Sequence, residues 1–294
     1  MTYVLLFAVL AVMRTAQAVS AKHSSALIQD NRTLLHAGGF SNIVSALVAL
    51  VALIVANDFF CDAFTVLTAA ACGLCITLAT LTQYVSLRQS TIALNTMFGT
   101  ASMLLPSIAG IFLFGETMSV WQWAGLVLFI AAAYFLICAS SKEKAKMTWK
   151  GFLLLLGVFA FNGLSSLLQK YFAVEQGEAA NATFFNFLCF AINGVLFYVI
   201  TGVYCLAKRE KFSLLPPKLM VWNGVQAAAV FAVGLLITVM AATLSSAVLF
   251  TVSGVIMLLA NALVGAIGFK EKFTVFSVCG IVLSIAAAVC ANIV

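Results

Sequence analysis

Arg14 follows a twelve-residue apolar run, TYVLLFAVLAVM at residues 2–13, and no other residue of the chain is so well suited to hold a solute. Charge near mid-bilayer costs at least about 2.5–3.5 kcal/mol, so an intramembrane arginine needs a reason. Its guanidinium is planar, stays protonated and can grip a carboxylate through two hydrogen bonds, which suits an anionic group on a bound solute. The competing reading is a head that snorkels toward the cytoplasmic headgroups. No Asp or Glu lies in the apolar core of any segment, so the protein offers no evident partner. Gln17, Asn42, Gln83, Tyr84, Asn95, Asn162, Ser165, Gln169, Asn186, Asn193, Gln226, Thr238, Thr251, Ser253 and Asn261 are the other polar residues within apolar stretches. An unpaired polar group in hydrocarbon is costly, so each must face either a neighbouring helix or a wet cavity.

Other chemistries lack their parts. His23 and His36, the two histidines, both fall near a loop, and no core carboxylate stands by to complete a catalytic dyad, which argues against an intramembrane enzyme. Of the eight cysteines, Cys72 and Cys75 form a C-x-x-C, yet no histidine is near enough to complete a metal set. The cysteines read as small apolar packing residues. We expect no cofactor and no metal. There is also no nucleotide-binding glycine loop and no soluble domain, so an ATP-driven pump would need a partner to supply its motor.

These residues must be positioned by membrane elements. The chain is 64% hydrophobic and 8% charged over 294 residues, whereas a soluble domain carries roughly 25% charged residues. Each crossing needs about 20 apolar residues. Cutting at polar clusters predicts ten spans, near 2–20, 36–57, 62–84, 91–114, 119–140, 151–170, 182–206, 220–241, 245–268 and 273–293. Long continuous apolar runs are helices rather than barrel strands. Small residues such as Gly99, Ser102 and Ser107, or Gly254, Ala260 and Gly265, allow close helix packing. Trp121, Trp123, Trp149 and Trp222 fall at span ends, and Pro106 should kink the fourth span. Ala16-Gln17-Ala18 has the look of a cleavage site. No basic residue precedes the apolar run and Arg14 interrupts its end, so a retained first helix is expected.

The chain also repeats itself. GETMSVWQWAGLVLFIAAA at 115–133 matches KEKFTVFSVCGIVLSIAAA at 270–288 at an offset of 155, aligning Glu116 with Glu271, Ser119 with Thr274 and Gly125 with Gly280. Two copies of a five-span unit must lie in opposite orientations, the construction typical of secondary transporters. Thirteen of the fifteen Lys and Arg fall in odd-numbered connections: Lys22, Arg32, Arg88, Lys142, Lys144, Lys146, Lys150, Lys208, Arg209, Lys211, Lys218, Lys270 and Lys272. Asp58, Asp62, Glu116, Glu175 and Glu178 occupy even ones. The positive-inside rule then puts the odd connections in the cytoplasm and both termini outside. The net charge of +6 is thus a topology signal, and no nucleic-acid partner is expected.

The run Tyr84–Ala93 followed by Pro106 and Phe114-Gly115-Glu116, with Phe269-Lys270-Glu271, Thr274 and Gly280 in the second half, resembles the EamA-like branch of the drug/metabolite transporter superfamily. The resemblance covers essentially the whole chain. It implies an all-α integral membrane protein with ten transmembrane helices as two inverted five-helix repeats, 1–140 and 151–294, joined by a basic loop at 141–150. It matches Glu116 and Glu271 to family glutamates at helix junctions, and we read them as structural residues that cap the next helix's N-terminus. It also implies a cavity among the first, third, fourth, sixth, eighth and ninth helices, which favours Arg14, Gln17, Gln83, Tyr84, Asn95, Asn162, Ser165, Gln226 and Thr251 as substrate-binding residues over Asn42, Asn186 and Asn193. Where family members carry Trp-Gly ahead of a lysine, here Lys22, this chain has Arg14-Thr15; the second half has Asn162-Gly163 ahead of Lys170. Related small multidrug resistance proteins carry a proton-exchanging glutamate at that position, and the opposite charge here argues against drug-cation/proton exchange by their mechanism.

The expected function is secondary transport of a small polar metabolite, carboxylate-bearing such as an amino acid or organic acid, by alternating access between the two halves. The alternative is export of neutral or aromatic drug-like compounds. Expected partners are the solute and the lipid bilayer of the cell membrane, with the protein a monomer or weak homodimer and not an enzyme.

Overall fold

The computed structural model describes residues 2–28, 30–57, 59, 62–86, 92–140, 149–177, 180–210, 214–268 and 274–291. Asp58, the stretch 87–91, Lys142, Lys144, Lys146, Glu178, Lys211 and the stretch 269–273, which enter the charge, repeat and resemblance readings above, lie outside the described residues. Every regular element among those described is helical: α1 (Thr2–Leu27), α2 (Asn31–Ala56), α3 (Ala63–Ser86), α4 (Ile92–Ala101), α5 (Leu104–Leu113), α6 (Val120–Ser140), α7 (Trp149–Gln176), α8 (Ala182–Lys208), α9 (Pro217–Ala241), α10 (Ser246–Leu263), a π-helical turn (Val264–Gly268) and α11 (Val275–Ala291). Seven are long and apolar enough to cross a membrane, and three shorter apolar stretches, Phe98–Leu113, Val120–Phe135 and Val275–Ala291, accompany them. The protein is all-α, with the build of a multi-pass membrane protein.

Helices form because hydrocarbon leaves no other partner for backbone N–H and C=O groups, and polar side chains mark where they begin. The Asp30 carboxylate accepts from Thr33 N at 2.6 Å to start α2, and Asp62 accepts from Thr65 N at 2.9 Å to start α3. Ser119 and Gln122 cap α6 reciprocally: Ser119 Oγ accepts from Gln122 N at 3.3 Å and Gln122 Oε1 from Ser119 N at 3.0 Å. Thr274 and Ser277 repeat the device at α11, at 3.2 and 3.3 Å. These two caps fall on matched positions of the sequence repeat.

Pro106 acts one turn upstream of itself. Its ring cannot lie against the carbonyl four residues back, at Ser102, and the helix is broken there between α4 and α5. Gly163 of α7 seats at this break: a Cβ on it would lie 2.7 Å from Leu105 Cβ and 2.8 Å from the Ser102 carbonyl oxygen.

The helices pack in a definite set of partnerships. α2 lies along α8 and α6 along α11, while α1 lies along α9 and α3 along α7; α10 also touches α1, α5, α6 and α11. One apolar cluster joins Leu10 of α1, Ala173 of α7, Ile237 and Met240 of α9, and Leu249 and Phe250 of α10. A second joins Phe129 and Ala132 of α6, Val255 and Leu258 of α10, and Ala287 of α11.

The connections segregate to two ends. At one end His23 stacks on Trp222, with ring centroids 4.3 Å apart. There Arg32 lies 3.8 Å from Glu210, and Leu27 and Ile28 pack with Leu215 and Leu219. At the other end Gln176 Nε2 donates to Asp62 Oδ2 at 2.8 Å, joining the end of α7 to the start of α3. His36, expected near a loop, is instead buried within α2, with its ring edge-on to Tyr198.

Candidate functional site

Arg14 sits near the middle of the 26-residue α1, about 18 Å along it at 1.5 Å per residue. The residue is only 9% exposed, whereas a guanidinium snorkelling along a lipid-facing side would be open. Its Nη1 donates to Gln17 Oε1 at 3.1 Å, one turn along the same helix. Its Nε is buried and has no hydrogen-bond partner. The ion pairs among the described residues use Arg32 with Asp30 and with Glu210, and Lys170 with Glu116. None involves Arg14.

The other candidates divide by how well they are satisfied within the protein. Asn95 is buried and its Oδ1 accepts from Ser86 Oγ at 2.6 Å, tying α4 to the end of α3. Asn162 turns back on its own helix, Nδ2 to Val158 O at 3.0 Å, and buried Ser165 does likewise, Oγ to Asn162 O at 2.8 Å. The Tyr84 ring meets Phe197 edge-on at 6.5 Å, and its hydroxyl lies 3.6 Å from where a Cβ on Gly38 would stand. Gln83 and Gln226 are half-buried on α3 and α9, and Thr251 is buried on α10. Thus Arg14 and Gln17 are brought into contact, while no bond among the described residues links the remaining candidates to them.

The amides set apart from the cavity serve as links between helices. Thr77 Oγ1 donates to Asn193 Oδ1 at 2.8 Å and Asn193 Nδ2 donates to Asn42 Oδ1 at 2.9 Å, a chain through α3, α8 and α2. Asn186 Nδ2 donates to Thr238 Oγ1 at 3.1 Å, tying α8 to α9. Cys72 and Cys189 pack between α3, α7 and α8, each with its sulfur 3.5 Å from a backbone carbonyl oxygen, of Ser165 and Ala69 respectively.

Two features were not legible in the sequence. Ser253 Oγ on α10 is buried without a partner, as are Ser24 Oγ on α1 and Asn223 Nδ2 on α9. The other is the environment of Glu116. Its Oε2 accepts from Ser246 N at 2.8 Å and its Oε1 from Ser246 Oγ at 3.1 Å, so it caps α10 rather than the next helix, α6, which Ser119 and Gln122 already cap. Spacing pointed to α6 because it is adjacent in sequence; folding instead lays the α5–α6 connection over the start of α10.

No family model matches the sequence, and no curated protein matches it. A protein of solved crystal structure superposes with a TM-score of 0.74 at 15% identity, covering 98% of this chain and 98% of that one. At that identity the likeness concerns the fold alone, and it extends over the full length of both chains.

Proposed function

We propose that the chain is a secondary transporter of the EamA-like, drug/metabolite transporter type, moving a small polar metabolite across the cell membrane by alternating access. The observation that supports this reading most is the way the helix partnerships exchange. If residues 1–140 and 151–294 are inverted five-span repeats, α1 corresponds to α7, α2 to α8, α3 to α9 and α6 to α11. The pair α3·α7 then maps onto α9·α1, and α2·α8 and α6·α11 each map onto themselves, and all four are close pairs. The matched caps of Ser119 with Gln122 and Thr274 with Ser277 obey the same correspondence. In this reading α4 with α5, and α10 with its π-helical turn, each count as one broken or distorted span, which brings the number to ten. In transporters built this way the solute sits between the halves near the midplane, and Arg14 stands near the middle of α1.

The two halves rock about that site, and the solute shifts the balance of inward-open and outward-open states only through unequal contacts in the two. The protein acts as a monomer or weak homodimer in the bilayer. The test is reconstitution of purified protein into liposomes loaded with a polar metabolite extract, with the lumen analysed by mass spectrometry over time. At least one metabolite should leave proteoliposomes faster than protein-free vesicles, and its exit should accelerate when the same compound is supplied outside. If no metabolite leaves faster, the transporter reading fails.

A further inference from the structure

We propose that Arg14 and Ser253 anchor a single carboxylate of the solute, and that the site selects small monocarboxylates that are otherwise uncharged; the inference builds on the transporter reading for its placement on a transport path. The guanidinium presents two usable edges. Nη1 is engaged by Gln17, while Nε is buried with no partner. The edge formed by Nε and Nη2 therefore makes no hydrogen bond among the described residues, and it is an edge that meets both oxygens of a carboxylate through parallel hydrogen bonds. A buried N–H without a partner is costly, and a carboxylate oxygen that meets it removes that cost.

The charge balance narrows the ligand. Asp30, Glu210 and Glu116 are committed to Arg32 and Lys170, and Asp62 takes a hydrogen bond from Gln176 at the far end of α7. Among the described residues Arg14 is thus a cation within the bundle without a protein counter-ion. One negative charge neutralises it. A second carboxylate on the ligand would lie buried without a cation, and an ammonium would lie buried without an anion.

The second partner comes from the register of α1 and α10. Leu10 and Leu249 share one apolar cluster. α1 touches both α10 and the π-helical turn that follows it, and in the ten-span arrangement proposed above these are the first and ninth spans, which cross in the same direction. Arg14 stands one turn beyond Leu10 and Ser253 one turn beyond Leu249, each on the face of its predecessor. Most buried hydroxyls here fold back on their own helix, as Ser107 does to Met103 O at 2.9 Å and Ser284 to Gly280 O at 2.8 Å. The Ser253 hydroxyl does not, and it is buried without a partner. In that arrangement two donors without a partner, one charged and one neutral, come to one level on adjoining helices.

The test is ligand binding to the full-length purified protein, read by calorimetry and thermal shift. Probes are lactate, gluconate and benzoate, the matching amides, alanine, succinate and inorganic phosphate. The monocarboxylates should bind wild type; their amides, alanine, succinate and phosphate should bind at least about tenfold more weakly. Arg14→Gln should weaken monocarboxylate binding by about 10–100-fold. Arg14→Lys keeps the charge but loses the fork and should cost about tenfold; Ser253→Ala should cost about 3–10-fold. Should Arg14→Gln fail to fold, Arg14→Lys and Ser253→Ala carry the test, and unchanged affinity in both overturns the proposal. Phosphate, succinate or the amides binding as tightly as the monocarboxylates overturns it too. A monocarboxylate that binds through Arg14 but is not moved in liposomes defeats the transporter reading while leaving this site standing. A neutral solute moved at the wild-type rate by Arg14→Gln defeats this site while leaving the transporter.

Discussion

Lys170 Nζ lies 3.2 Å from Glu116 Oε1, with the lysine side chain 4% and the glutamate side chain 16% exposed. The same lysine donates to the carbonyls of Ala241 at 2.9 Å and Leu244 at 2.6 Å, where α9 ends. The same carboxylate accepts from the first backbone N–H of α10. A cation therefore closes one helix C-terminus and an anion opens the next N-terminus, each against the favourable end of a helix dipole. Because Glu116 lies on the α5–α6 connection and Lys170 on α7, the node ties two parts of the chain to the α9–α10 turn.

Removing one member strands the other. Glu116→Ala should lower stability by about 2–4 kcal/mol, since a buried pair loses more when broken than it contributes intact. Lys170→Met should do the same, and the double variant should fall well short of the sum. Thermal unfolding in detergent, followed by size exclusion with fluorescence, measures all three; strict additivity would mean the two side chains do not act on each other.

Gly163 meets backbone and a Cβ, neither of which can swing aside. Gly163→Ala should therefore destabilise by about 1–3 kcal/mol through overpacking, whereas Gly202→Ala, which meets nothing within 4 Å, should not destabilise. The comparison separates close packing from the general effect of changing a helical glycine.

The chain of Thr77, Asn193 and Asn42 is entirely within the bundle, yet hydrogen bonds between helices in membranes average only about 0.6 kcal/mol. Asn193→Ala should accordingly cost less than Glu116→Ala, by at least about 1 kcal/mol. Equal losses in the same unfolding assay would show that the amide chain matters as much as the charged node.

Asp30 and Asp62 lie outside the spans and both titrate below the ordinary carboxylate value of 3.8. Hydrogen bonds from Thr33 lower Asp30 most, and those from Thr65 lower Asp62 most. A depressed folded-state value gives stability that is full above the unfolded value and lost as pH falls through the folded one. Stability should thus hold from neutrality to about pH 4 and decline below it. Asp30→Asn with Asp62→Asn should flatten that decline, as unfolding midpoints measured across pH 3–6 would reveal.

The hydrophobic runs alone determine the helical, multi-pass class, because hydrocarbon offers the backbone no partner outside its own segment. Short-range polar devices are equally legible: Ser119 sits three residues from Gln122, and Arg14 three from Gln17, spacings at which a helix turn brings side chains together. The need for a reason at Arg14 was also visible, since a charge within an apolar run demands one. Tertiary structure alone decided the rest. Glu116 caps a helix start 130 residues away, and no local spacing encodes which helix a connection crosses. Asn42, Asn95, Asn186 and Asn193 each bond a side chain of another helix, yet which helix each reaches depends on what the neighbour presents at that level. That Arg14 Nε is left without a hydrogen bond follows from the packing of α1 against α9 and α10, because an unmet hydrogen bond is a property of the surroundings and not of the residue.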